Sequence, residues 1–152
     1  MKRLMMILAA VTVPACFGGG DNRGPAFYAD SLREIHHWDV DRAAEGHYAY
    51  NVMVGSEPKD AAPVLIPRLA DKTPSAIDDG IHDPPTVGHI AFHILMKIYG
   101  MKPTAFEQDG VWVMMNDPSK NPIYMVKFTN DGTREKLAKR FTEIGRTRGW
   151  LP

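Results

Sequence analysis

The sequence predicts a mainly α-helical fold carrying one inserted antiparallel β-hairpin. Three observations lead there. Apolar residues recur at helical spacing in residues 60–70, 87–99 and 134–148, and each stretch is bounded by capping or helix-breaking residues. Two strand-like runs, 111–115 and 123–129, follow the clearest helix. The segment between those runs is dense in Asn, Asp and Pro, the chemistry of a reversing loop.

The elements can be justified in chain order. Residues 26–37 predict a first helix, with Tyr28, Leu32 and Ile35 on one face. Ser31 and Glu34 have capping-box spacing, which would instead start a shorter helix. Residues 41–54 predict a second helix, capped by Asp39 or Asp41 and stopped by Gly55 and Pro58. Its Ala43, Ala44, Gly46 and Ala49 are small enough for close helix approach. Residues 60–70 predict a third, with Asp60 as cap, Pro63 in the first turn and Ala62, Leu65, Ile66 and Leu69 as one stripe. Pro67 is expected to kink its end.

Residues 71–85 read as a linker, with four prolines and glycines and the acids Asp78, Asp79 and Asp83. Residues 87–99 give the clearest helix, capped by Thr86 and ended by Gly100. Its apolar residues lie on nearly every side, so it is expected to be buried. In the second strand, Tyr124, Val126 and Phe128 fall on one face, with Lys127 and Thr129 on the other. A last helix over 134–148 carries Leu137, Phe141 and Ile144 inward and ends at Gly149, with Trp150 folding back. The expected core includes Leu65, Leu69, Ile90, Ile94, Leu95, Leu137 and Phe141.

The chain has 152 residues, with 18 basic and 18 acidic side chains. No basic excess points to nucleic acid, and no nucleic-acid partner is expected. Hydrophobic content of 44% and charged content of 24% are ordinary globular values.

The first residues carry an address. Lys2 and Arg3 precede an apolar run from Leu4 to Val13, the length of a signal-peptide core and far short of the ~20 residues of a membrane-spanning helix. Val13-Pro14-Ala15-Cys16 follows, and Cys16 is the only cysteine. This resembles the lipobox of bacterial lipoproteins. The resemblance implies cleavage after residue 15, lipidation of Cys16 and a membrane partner through that anchor. Removal of residues 1–15 would leave 16 basic against 18 acidic side chains. Phe17, rather than an aspartate, follows the cysteine, which leans toward the outer membrane or cell surface. Residues 16–25, rich in glycine, then form the lipidated cysteine and a flexible tether, and 26–152 a single globular helical domain.

Ala49-Tyr50-Asn51-Val52-Met53-Val54-Gly55, followed by a helix reading Ala61-Ala62-Pro63-Val64-Leu65-Ile66-Pro67-Arg68-Leu69-Ala70-Asp71, resembles a HEAT-type helical hairpin. Thr86 would open a second unit, a period inside the ~40–47 residues of such repeats. The resemblance implies HEAT-like helical hairpins and an interaction surface, with an envelope protein as a possible partner.

Side chains with chemical potential are few. His89 and His93 stand at i and i+4 on the clearest helix, the spacing of two zinc ligands. Ile90, not a glutamate, follows His89, so the zincin motif is absent. Both are therefore read as packing residues, with metal binding as the alternative; a third ligand would come from His36, His37, His47, His82 or an acid. His36 and His37 near a helix end suit interaction with its carbonyls. Asp78, Asp79 and Asp83 lack calcium-loop spacing. No phosphate loop or nucleophile elbow is present. The sequence thus predicts a cell-envelope lipoprotein acting as a binding or structural module, with no catalytic residue and no cofactor. The alternative is a small metal-binding protein or metal-dependent enzyme using His89 and His93.

Overall fold

A computed structural model describes residues 23–39, 43–78, 80, 82–113, 123 and 126–152. The signal segment, Cys16, Asp41, Asp79, Met114, Met115, Tyr124 and the loop 116–122 lie outside the described residues. The chain is mainly helical with one two-stranded antiparallel hairpin. Helix α1 is Pro25–Tyr28, α2 Tyr48–Gly55, α3 Pro58–Arg68, α4 Val87–Tyr99 and α5 Asp131–Thr147. Strands β1 (Val111–Val113) and β2 (Val126–Phe128) pair with Val111 opposite Phe128 and Val113 opposite Val126.

Helix α4 is the spine. Its start is fixed by Thr86 and His89 in a capping box, where the imidazole accepts from the backbone amide of Thr86. Its end is fixed by Gly100 at φ 63°, while the Met101 amide donates to Met96 O at 2.8 Å. That left-handed closure suits glycine because no Cβ opposes it. Ten of its thirteen residues are buried. Helices α2 and α3 both pack on α4, α1 packs on α2 and α3, and α5 packs on α3. All seven expected core residues are fully buried, within one apolar cluster that also holds Phe92, Phe106 and Tyr50.

Four helices differ from the sequence expectation. The first helix splits: α1 ends at Tyr28 and a 3-10 turn spans Asp30–Glu34. Tighter winding at three residues per turn keeps Leu32 and Ile35 in register, and both are buried. The second helix begins at Tyr48, not residue 41. Asp39 and Ala43 exchange two backbone hydrogen bonds, at 2.7 and 2.9 Å, and Ala43 (φ 51°) and Gly46 (φ 96°) adopt left-handed backbone that a helix excludes. The third helix begins at Pro58, which takes the first-turn place assigned to Pro63. Pro63 and Pro67 therefore lie inside α3, both exposed, where solvent can reach the carbonyls they leave unbonded. Helix α5 starts three residues early because Asn130 caps it, its side chain accepting from the Thr133 amide at 3.1 Å. A 3-10 turn over Pro103–Asp109, with Phe106 buried, was not signalled by periodicity.

Gly88 marks a close approach of α4 to the chain at Leu69 and Asp71. A Cβ there would lie 2.6 Å from Leu69 O and 2.9 Å from Asp71 O, and would meet the Arg134 guanidinium. Two of these neighbours are backbone, which cannot step aside. Gly88→Ala should therefore cost about 1–3 kcal/mol in urea unfolding. Unchanged stability would contradict the close approach.

Candidate functional site

A cavity of about 480 Å³ lies beside the start of α4. One wall is the segment from His82 to Pro85; the other is β2 with Val126, Lys127 and Phe128, and Ile123 before it. His89 lines it from the first turn of α4. Along β2, Val126 is buried, Lys127 exposed and Phe128 half-buried.

His89 is held in one orientation and one protonation state. Its ring stacks on Phe128, with centroids 4.4 Å apart and planes 14° from parallel. The Thr86 amide donates to Nδ1 at 3.2 Å, and the Thr86 hydroxyl lies 2.9 Å from the same nitrogen. Arg134 Nη2 donates to that hydroxyl at 3.2 Å, so the hydroxyl's own proton is turned to Nδ1. Nδ1 is thus an acceptor, and the neutral ring carries its proton on Nε2. Burial, and then the Arg134 charge, push the imidazole down to about 4.

Arg134 ties the site to the rest of the fold. It is itself buried, donating through Nη1 to Leu69 O at 2.8 Å and Asp71 O at 3.4 Å. Its guanidinium also lies 4.8 Å from the Phe128 ring centroid. One side chain from α5 therefore closes the end of α3, supports the α4 cap and backs the aromatic wall. Burial pushes its pKa below the ordinary arginine value, opposed by Asp131 and Asp71.

The two histidines at i and i+4 have different surroundings. His89 meets Phe128, whereas His93 is buried with its ring 5.6 Å from Trp38 and 5.8 Å from Phe92. The remaining histidines divide. His82 lines the main cavity. His36, His37 and His47 line a second recess of about 330 Å³ with Glu45. The His36 and His47 rings are 6.4 Å apart, and His36 Nδ1 lies 3.3 Å from Glu34 O. Burial and then the His36 charge push the His47 pKa down, against Glu34. Among the described residues, no group of three or more His, Cys, Asp or Glu side chains is disposed to hold a metal ion. Asp83 borders the main cavity; Asp78 accepts from the Gly80 amide at 2.8 Å in an exposed turn. No helix among the described residues is long and apolar enough to cross a membrane.

The sequence reading singled out His89 and His82 but not Lys127, Phe128 or Arg134. One signal was present. Arg134 sits near the N-terminus of a helix, where the macrodipole disfavours a cation, so another interaction had to hold it there.

Comparison with protein families, curated proteins and solved structures finds no match to this chain. The site must therefore be read from its own chemistry.

Proposed function

We propose that this chain is a cell-envelope lipoprotein, anchored through Cys16, whose folded part is a binding module. Its ligand site is the cavity lined by His89, Lys127 and Phe128. The observation that carries the binding reading is that cavity: its volume is in the range of small-molecule sites, and a few polar groups converge on an apolar wall. Pro84, Pro85 and Ile123 supply further apolar surface, Lys127 a cation and His89 an N–H donor. Such a lining suits a small organic ligand with a flat apolar body and an acceptor or anionic group. The HEAT-type resemblance supports a binding rather than a catalytic role, and an envelope protein remains a candidate partner. The anchoring reading rests on the short apolar run that ends at the sole cysteine.

Two measurements test the two halves separately. Mass spectrometry of the protein recovered from membranes should show cleavage after residue 15 and an acylated Cys16. Cys16→Ala should release the domain from membranes. An unmodified Cys16, or cleavage elsewhere, overturns the anchoring reading. For the cavity, the probe is anilinonaphthalene sulfonate, an anion on an apolar ring system. It should bind native protein saturably at one site and lose affinity in Lys127→Glu, an exposed change that leaves the core intact. Non-saturable binding, or binding indifferent to that change, overturns the site assignment.

A further inference from the structure

Among the described residues only three large hydrophobic side chains are exposed: Phe27 at 54%, Tyr48 at 48% and Trp112 at 51%. Two of them share one patch. The Phe27 ring meets Tyr28 edge-on at 5.0 Å, and Tyr28 meets Tyr48 at 5.4 Å. Tyr28 is buried and forms the floor, so Phe27 and Tyr48 flank it on the surface. The Arg23 guanidinium lies over Phe27, 3.7 Å from the ring centroid. Tyr48 keeps a polar tip, its hydroxyl donating to Glu34 Oε2 at 2.8 Å.

We infer that this patch, Phe27 and Tyr48 over the buried Tyr28, rests in the headgroup region of the bilayer that holds the chain. The inference builds on the Cys16 anchor proposed above. Arg23 follows Cys16 by seven positions, and a fully extended chain covers at most ~3.6 Å per residue, so Arg23 stays within about 25 Å of the anchor. A folded chain of this size is roughly 35–40 Å across, which exceeds that reach. The tether therefore cannot let the molecule turn its far side to the lipid. The patch begins at Phe27, four positions after Arg23, and so lies on the side that the tether keeps within reach of the membrane.

The chemistry of the patch matches that location. Aromatic rings with a polar tip favour the membrane–water interface, where the ring replaces water and the tip stays wet. Glu34 and Asp30 lie nearby and are exposed, and Asp30 is paired with Arg68. Their charge favours a zwitterionic surface over a strongly anionic one. No excess of positive charge is required, since the anchor supplies the attachment and the patch supplies orientation.

The test uses the sole cysteine. The full-length chain is expressed in a bacterial host, recovered from membranes, and placed in phosphatidylcholine vesicles. A thiol-reactive nitroxide is applied to the native protein and to Phe27→Cys, Tyr48→Cys and Lys139→Cys, three exposed positions. Native protein should take no label, because Cys16 is acylated; one label per chain overturns the anchor and this inference with it. With the anchor intact, power saturation should show a several-fold higher ratio of oxygen to nickel-chelate accessibility at positions 27 and 48 than at 139. Equal ratios at all three positions overturn the membrane-facing patch while leaving the anchor standing.

Discussion

Phe92→Ala should lower the free energy of unfolding by about 3–5 kcal/mol, the cost of emptying a large aromatic site in a packed core. Phe92 is fully buried on α4 and touches three other phenylalanines. Its ring lies 5.4 Å from Phe106, 5.5 Å from Phe128 and 6.0 Å from Phe141, all near edge-on. Phe106 belongs to the 3-10 turn, Phe128 to β2 and Phe141 to α5, so one ring joins three separate elements to the spine. Truncation removes dispersion contacts and edge-to-face contacts together. Urea unfolding of the variant beside Trp112→Ala is the measurement. The exposed Trp112 should change by no more than about 0.5 kcal/mol. Comparable losses at both positions would contradict the assigned core.

Acidification should remove about 3 kcal/mol of stability between pH 6.5 and about pH 4, through His89 alone. In the folded chain the imidazole titrates near 4, whereas in the unfolded chain it titrates near 6.5. Between those values the unfolded chain binds a proton that the folded chain refuses. Stability is therefore complete above pH 6.5 and falls as the pH drops toward 4. The His47 pKa is lowered in the same direction and adds to the slope. Urea unfolding at pH 7.5 and pH 4.5 gives the loss, and His89→Gln, which keeps an acceptor for the Thr86 amide, should reduce it. Arg134→Met should raise the His89 pKa, since it removes the neighbouring cation, at the cost of the guanidinium's bonds to Leu69 O and the Thr86 hydroxyl. A stability independent of pH over this interval, or one unaltered by His89→Gln, would contradict the buried neutral imidazole.

What the sequence disclosed depended on how local its cause was. Helix α4 was legible to both ends, because Thr86, the all-round apolar pattern and Gly100 act within a few residues of one another. The hairpin was legible for the same reason, and the stripes placed Leu137 and Phe141 correctly in the core. The start of α2 was not, since a run of small residues reads as helix while Ala43 and Gly46 turn left-handed to let Ala43 pair with Asp39. The cavity was the least legible feature. Pro84, His89, Lys127 and Arg134 come together only after α5 has docked, and no spacing along the chain records that meeting. His89 and His93 show the converse limit: a shared helical face sets the direction of two side chains but not what each one meets.

The reach of Arg134 has a kinetic meaning. Its bonds to Leu69 and Asp71 span 65 and 63 positions of chain, so they close a long loop that forms only once α3, α4 and α5 are assembled. The wall behind Phe128 and the support beneath Thr86 arrive with that closure, and a partly folded chain has neither. A ligand seated against His89 and Phe128 would thus bind only complete molecules. By mass action its binding free energy would add to the stability of the whole fold rather than to one loop.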